Sequence, residues 1–204
     1  MKRILIGSLT VAVLGGVSVF VASQATRVTA AEAAATAEAP VTKTPDVIFV
    51  PTPQPAVEKM LEMAEIKPGD VVYDLGCGDG RIVVTAARKY GVKAVGFDVD
   101  PQRIKESLEN VKSNKVEHLV EIKQQDIFTV DLSKADVVTL YLLPSLNVKL
   151  IPQLEKMKPG SRIVSYSFDM AGVKPDATEK YEWNTIYKWV TPLKKESSES
   201  SSNP

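Results

Sequence analysis

The 204-residue chain carries 25 basic and 25 acidic residues, so no bulk charge draws it to nucleic acid, and its length suits one ordinary domain. Cys77 is the only cysteine and His118 the only histidine, which excludes an intramolecular disulfide and a Cys/His zinc site; no metal is expected. A Ser-His-Asp hydrolase would have to use His118, which follows "KVE" in a polar stretch and reads as a solvated surface residue.

The chain opens "MKRILIGSLTVAVLGGVSVFVASQA". Lys2 and Arg3 precede an uncharged apolar run, Ile4 to Ala22, and small residues follow. Residues 1–25 read either as a signal peptide, with cleavage after Ala25 or Ala30, or as an uncleaved membrane anchor. The basic N-terminus stays inside, which places the rest of the chain outside, exported or membrane-anchored. Residues 26–43 are rich in Ala, Thr and Glu without apolar periodicity and read as a flexible linker. The folded domain is expected over 44–193, and the polar tail "KKESSESSSNP" over 194–204 is expected to be disordered.

"QPAVEKMLEMAEI" places Val57, Met60, Leu61 and Ala64 on one helical face. "VVYDL" predicts a buried strand and "RIVVTAARKY" a helix stopped by Gly91. "KAVGFDV" is a second strand, and "DPQRIKESLENVKSN" a helix with Asp100 as N-cap and Pro101 in its first turn. "LVEIKQQD" and "ADVVTLYLL" are a third and a fourth strand. "PSLNVKLIPQLEKM" predicts a helix interrupted near Pro152, and "KPGSRIVSYSF" a turn and a fifth strand. "YEWNTIYKWV" reads as two β-rich runs around Asn184, a hairpin in which Trp183 and Trp189 are core residues. Strands alternating with helices give an α/β fold, a Rossmann-like, doubly wound, mostly parallel sheet with an antiparallel C-terminal hairpin.

In such sheets ligands bind beyond the carboxyl ends of the strands, where the strand order reverses. The first strand runs into "DLGCGDG", whose Gly76, Gly78 and Gly80 clear side chains from the backbone, and the following helix offers free N–H groups. The second strand ends in Asp98, at a distance from Gly76 that suits a carboxylate on ribose hydroxyls, so a nucleoside cofactor is indicated. A dehydrogenase would carry G-x-G-x-x-G, but Arg81 occupies the last position. Asp74 at the strand end suits a cationic ligand better than a pyrophosphate, and S-adenosylmethionine carries both an ammonium and a sulfonium. Cys77, between two of these glycines, reads as a small buried residue rather than a redox thiol.

"VYDLGCGDG" resembles motif I of the class I S-adenosylmethionine-dependent methyltransferases, "AVGFDVDP" the motif after it, and "QQDIF" their adenine-binding loop. "FVPTPQPAVEKMLEMA", "DLGCGDGRIV", "VVTLYLLPSLN" and "KPGSRIVSYSFDM" together resemble a narrower family. That family comprises membrane-associated protein-lysine methyltransferases acting on the ATP synthase c-subunit and the adenine nucleotide translocase, with bacterial relatives. The resemblance implies a seven-stranded sheet, S-adenosylmethionine as cofactor, a protein lysine as acceptor and a bacterial source. It also implies roles. Asp74, Gly76, Gly78 and Gly80 line the methionine end, and Asp98 binds both ribose hydroxyls. Asp126 and the Ile127 backbone read adenine, and Thr52 in "VPTP" folds over the cofactor.

Methyl transfer to an amine is an in-line displacement at a sulfonium carbon, carried mostly by proximity and orientation. The lysine, titrating near ~10.4 in water, must react neutral, so a dry pocket beside a cation serves better than a histidine base. Acceptors in this class sit at the end of the fourth strand, "TLYLLPS", where Leu142, Leu143 and Pro144 would wall the pocket and Tyr141 would orient the amine. Three alternatives stay open: methylation of RNA, methylation of a small molecule, or an exported nucleoside-binding domain without catalysis. The last arises because the cofactor is made inside cells. The interleaved acids of "RIKESLENVKSNK" speak against a nucleic-acid face. The methyl acceptor, cleavage of the N-terminal segment, the side of the membrane the domain faces (an anchor with the domain inside would meet the cofactor) and the oligomeric state stay open.

Overall fold

The structure, a computed structural model, describes residue 44 and residues 48–196. The expected N-terminal segment, the linker over 26–43 and residues 197–204 lie outside the described residues.

Five parallel strands form the body of one sheet: β1 (Val71–Leu75), β2 (Lys93–Asp98), β3 (Val120–Gln124), β4 (Val137–Leu140) and β5 (Arg162–Tyr166). β7 (Asn184–Val190) runs antiparallel to β5 and pairs with the edge strand β6 (Ala177–Tyr181). The seven strands lie in the order β3-β2-β1-β4-β5-β7-β6. The helices are α1 (Gln54–Met63), α2 (Arg81–Tyr90), α3 (Pro101–Ser113) and α4 (Pro144–Leu154). From β1 the chain winds outward through β2 and β3, then returns to β4 on the other side of β1. The strand order therefore reverses between β1 and β4, which fixes where a ligand can lie.

Alternation along the strands builds two cores. Val72, Val164 and Ile186 pack with Val57, Met60 and Leu61 of α1 and Val83 and Ala87 of α2. Leu75, Leu140, Ile163 and Trp189 pack with Leu150 and Leu154 of α4 on the opposite face. Two local signals act as the sequence predicts. The Asp100 carboxylate accepts from Gln102 N–H at 2.8 Å to start α3, and Gly91 N–H donates to Ala87 O at 3.0 Å where α2 stops.

Four expectations need correction. The interruption at Pro152 is absent, and α4 runs through it to Leu154. Pro152 removes a single amide close to the helix end, and Glu155 N–H still reaches Ile151 O at 2.9 Å. The hairpin turns at Glu182 and Trp183, with Tyr181 opposite Asn184, and its first strand begins earlier, at Ala177. That strand is a sheet edge with most side chains in water, so "ATEKY" shows no alternation to read. Trp189 is fully buried and its indole N–H donates to Val173 O at 3.1 Å, but Trp183 sits at the hairpin tip, 98% exposed. Residues 194–196, placed in the tail, are paired: Lys174 N–H donates to Lys194 O, and Glu196 N–H donates to Gly172 O.

Candidate active site

A cavity of about 510 Å³ opens at the carboxyl ends of β1, β2 and β4. Of the residues singled out in the sequence, Thr52, Asp74, Gly76, Asp98, Asp126, Ile127 and Tyr141 line it. Gly78, Gly80 and Pro144 do not. His118 is exposed and away from it.

Asp74 is the centre of the site. Its register on β1 sets it opposite Gly96 of β2 and Thr139 of β4. Thr139 Oγ1–H donates to its Oδ1 at 2.7 Å. Oδ2 is buried with no hydrogen-bond partner among the described residues. Burial raises the Asp74 carboxyl to about 7, with nearby Asp98 and Asp79 adding to the rise and the Thr139 hydroxyl opposing it. A buried acceptor without a donor is costly, and a carboxyl destabilised as an anion gains most from a cation. The ammonium of an amino-acid ligand meets both needs.

The glycine loop serves packing as well as access. A Cβ on Gly78, at φ +54, would lie 2.1 Å from Phe49 Cε2, so the absence of a side chain lets the 48–52 segment cross the loop. Gly80, the N-cap of α2, approaches Ser107 of α3, where a Cβ would sit 2.9 Å from the Ser107 Cβ. These two glycines fit the crossing strap and the helix contact, while Gly76 borders the cavity. Cys77 is buried as expected, and burial pushes its thiol well above its ordinary value; Gly96 leaves room for its sulfur.

Two arginines hold the strap down, and nothing in the sequence pattern points to either role. Arg81, bound to Asp79 through Nε at 3.0 Å and Nη2 at 2.6 Å, donates from Nη1 to the Thr52 carbonyl at 2.8 Å. The Arg103 guanidinium lies 4.6 Å from the centre of the Phe49 ring. Arg81 thus fills the fingerprint position where a dinucleotide fold has glycine with a clamp on the N-terminal strap. Thr52 is buried and lines the cavity.

Asp98 is held in place before any ligand arrives. Gly78 N–H donates to its Oδ2 at 2.9 Å and Asp100 N–H to its Oδ1 at 3.0 Å. Each carboxylate oxygen keeps further lone pairs for hydroxyl donors. Asp126 caps the 3-10 turn Ile127–Thr129, accepting from Phe128 N–H at 3.1 Å, and also lines the cavity. Its capping and ligand-facing roles therefore coexist.

On the acceptor side the structure moves the wall. Tyr141, Leu142 and Leu146 line the cavity, whereas Leu143 and Pro144 do not and both are exposed. Pro144 is the first residue of α4, where its fixed φ suits the helix start. It starts the helix and lies outside the cavity lining. Among the described residues no group of His, Cys, Asp and Glu could hold a metal ion.

Residues 74–177 match the family described as ANTKMT methyltransferase domain, which covers half of the chain and spans the site from Asp74 past β5. The chain belongs to the ANTKMT methyltransferase family. The protein-lysine N-methyltransferase of Saccharolobus islandicus is 45% identical over 152 residues, covering 72% of this chain and 94% of that one. The ATP synthase c-subunit lysine N-methyltransferase of Rattus norvegicus is 29% identical over 146 residues, 69% of this chain and 65% of that one. A crystal structure described as an RNA methyltransferase from Salinibacter ruber in complex with S-adenosyl-L-homocysteine is 48% identical. It covers 76% of this chain and 100% of that one, with a TM-score of 0.68. This ANTKMT-family chain thus has the class I methyltransferase fold, and its cavity occupies the strand-order switch point of that fold.

Proposed function

We propose that this cavity binds S-adenosylmethionine and directs its methyl group to the side-chain amine of a protein lysine. The observation that carries the reading is Asp74, a buried carboxylate with an unpartnered oxygen at the switch point. It fits the ammonium of the cofactor's methionine end, with Gly76 clearing the approach. Asp98, pre-set by two backbone N–H groups, takes the ribose hydroxyls, and Asp126 with Ile127 faces adenine. Thr52 and Phe49 close over the cofactor from the strap. When bound there, S-adenosylmethionine supplies an electrophilic methyl on a sulfonium.

The chain's part is to bring a neutral amine in line and keep water out. Tyr141, Leu142 and Leu146 offer a largely apolar approach, where the amine, beside the sulfonium charge, sheds its proton before it reacts. Tyr141 orients it. The protein-lysine acceptor is supported by the family and by the relative at 45% identity. An RNA acceptor is favoured by the Salinibacter ruber structure alone. The lining argues the other way, since four aspartates (79, 98, 100 and 126), besides the buried Asp74, face two arginines (81 and 103), a net negative lining that repels phosphates.

Asp98→Ala is expected to weaken S-adenosylmethionine binding by ~1.5–3 kcal/mol, the scale of lost charge-assisted hydrogen bonds. Calorimetry reads this directly, and unchanged affinity would remove Asp98 from the ribose site. Tyr141→Phe is expected to slow methyl transfer roughly tenfold with cofactor affinity intact. A drop in cofactor affinity instead would make its hydroxyl structural.

The apolar run before residue 25 supports a further reading: a cleaved export signal or a membrane anchor. Among the described residues no helix is long and apolar enough to cross a membrane. The intact mass of the chain in the membrane and soluble fractions of the producing cell decides between loss of residues 1–25 and retention. A full-length chain found only in the soluble fraction would contradict both forms.

A further inference from the structure

We propose that Tyr141 and Phe168, backed by the buried ring of Tyr166, form the acceptor subsite, an aromatic wall for the ammonium of a lysine side chain and its N-methylated forms, positioned by Asn184 of the terminal hairpin. The proposal rests on the methyltransferase reading above. Tyr141 follows β4 and lines the cofactor cavity. Its ring meets Tyr166 edge-on, with centres 5.0 Å apart at 73°, and stacks on Phe168 at 6.2 Å and 21°. The rings therefore continue from the cavity across the carboxyl ends of β4 and β5, the direction from which an acceptor must come.

The turn that presents Phe168 is built at a cost. Ser167 has φ 72, a left-handed conformation that non-glycine residues rarely hold. Surrounding bonds over-determine it. Ser167 N–H donates to Thr185 O at 2.9 Å, and Ser167 Oγ and the Asn184 Oδ1 lie 2.6 Å apart in a hydrogen bond donated by the hydroxyl. The Phe168 carbonyl accepts from Ser165 Oγ at 2.6 Å and from Asn147 Nδ2 at 3.3 Å. Asn147, fully buried, also donates to Asp169 O at 2.9 Å. Asn184 Nδ2 donates to the Tyr166 hydroxyl at 2.8 Å, so one hairpin residue fixes both the turn and a ring. Phe168 nonetheless stays only half-buried. A strained, multiply bonded turn that ends in a part-exposed ring beside the cavity is better suited to a ligand than to packing.

The chemistry of the ligand follows from the rings. An ammonium within about 6 Å of an aromatic centre is attracted to its face. Each methyl that replaces a hydrated N–H adds apolar surface, so such a wall holds methylated amines better than the parent. Asn184 acts through Tyr166 and Ser167 and is a positioning residue.

The test uses the full-length chain in non-ionic detergent, saturated with S-adenosylhomocysteine and titrated with tetramethylammonium chloride, with sodium chloride as control. Saturable proton shifts are expected at the Tyr141 and Phe168 rings with tetramethylammonium and not with sodium. Phe168→Leu is expected to weaken the apparent affinity about fivefold, and Asn184→Ala to weaken it about twofold, both with unchanged S-adenosylhomocysteine affinity. Absence of saturable ring shifts in the loaded protein would overturn the proposal, as would unchanged affinity in Phe168→Leu. Failure of S-adenosylhomocysteine to bind at all would overturn the cofactor reading beneath it, so the two failures are distinguishable.

Discussion

Asp74→Asn is expected to make the ligand-free chain more stable at pH 8 while removing most of its affinity for S-adenosylmethionine. The first effect follows from burial. The folded chain holds the Asp74 proton up to about 7, and the unfolded chain releases it near the ordinary 3.8. Between those values the folded state binds more protons, so stability falls as pH rises across that window and levels off above about 7. The full shift corresponds to about 4 kcal/mol. An amide has no charge to desolvate, but its NH2 inherits the unpartnered position, which takes back part of the gain. A net rise of about 1–3 kcal/mol at pH 8, and little at pH 4, is expected from denaturant titrations at the two pH values. The second effect is larger. Removing one partner of a buried ion pair costs about 3–5 kcal/mol, so affinity is expected to fall at least 100-fold. The wild-type affinity should also rise with pH up to about 7, as Asp74 ionises to meet the ammonium. A variant that is no more stable at pH 8 than at pH 4, relative to wild type, would mean that Asp74 is not held protonated by burial.

Gly78→Val is expected to be the most damaging single change in the glycine loop. A β-branched residue at φ +54 costs about 1–3 kcal/mol in backbone strain alone. Its Cβ also falls on Phe49, so the strap must lift, and the Arg103 contact with that ring is lost with it. A shifted loop moves the Gly78 N–H away from Asp98 Oδ2. The expected result is a fall in cofactor affinity of about 100-fold with a loss of about 2–3 kcal/mol in stability. A double-mutant cycle separates the causes. In a Phe49→Ala background the steric part of the cost disappears, and Gly78→Val should then cost less than it does alone. Equal costs in both backgrounds would show that Phe49 does not close over Gly78.

The centre of the fold was legible because its signals are local. The helix over "RIVVTAARKY" has the predicted bounds, Arg81–Tyr90, since a glycine stands at each end of an uninterrupted apolar pattern. Asp74, Asp98 and Asp126 could be placed because each lies at or just past the end of a strand that alternation or an apolar run defines: Asp74 next to last in β1, Asp98 last in β2, Asp126 two residues beyond β3. The strap was half legible. Thr52 stood out only by resemblance, and nothing local in "IFVPTP" says that Phe49 covers Gly78 or that Arg81 grips a carbonyl 29 residues away. Gly78 and Gly80 pointed to the site, but the contacts that require them lie on α3 and the strap and emerge only in three dimensions. Pro144 misled because its neighbour Leu142 does line the cavity while the chain turns outward into α4. The edge strand β6 was unreadable because water covers most of its side chains, and Trp183 was misplaced for a related reason, a turn that takes up the two residues before Asn184.

Calorimetric titration of the full-length chain with S-adenosylmethionine, run beside Asp74→Asn and with NAD as a control, decides the assignment of the cavity. One site of micromolar affinity for S-adenosylmethionine is expected in the wild type, with binding at least 100-fold weaker in the variant and none for NAD. Equal affinity of wild type and variant, or binding of NAD in place of S-adenosylmethionine, would refute that assignment.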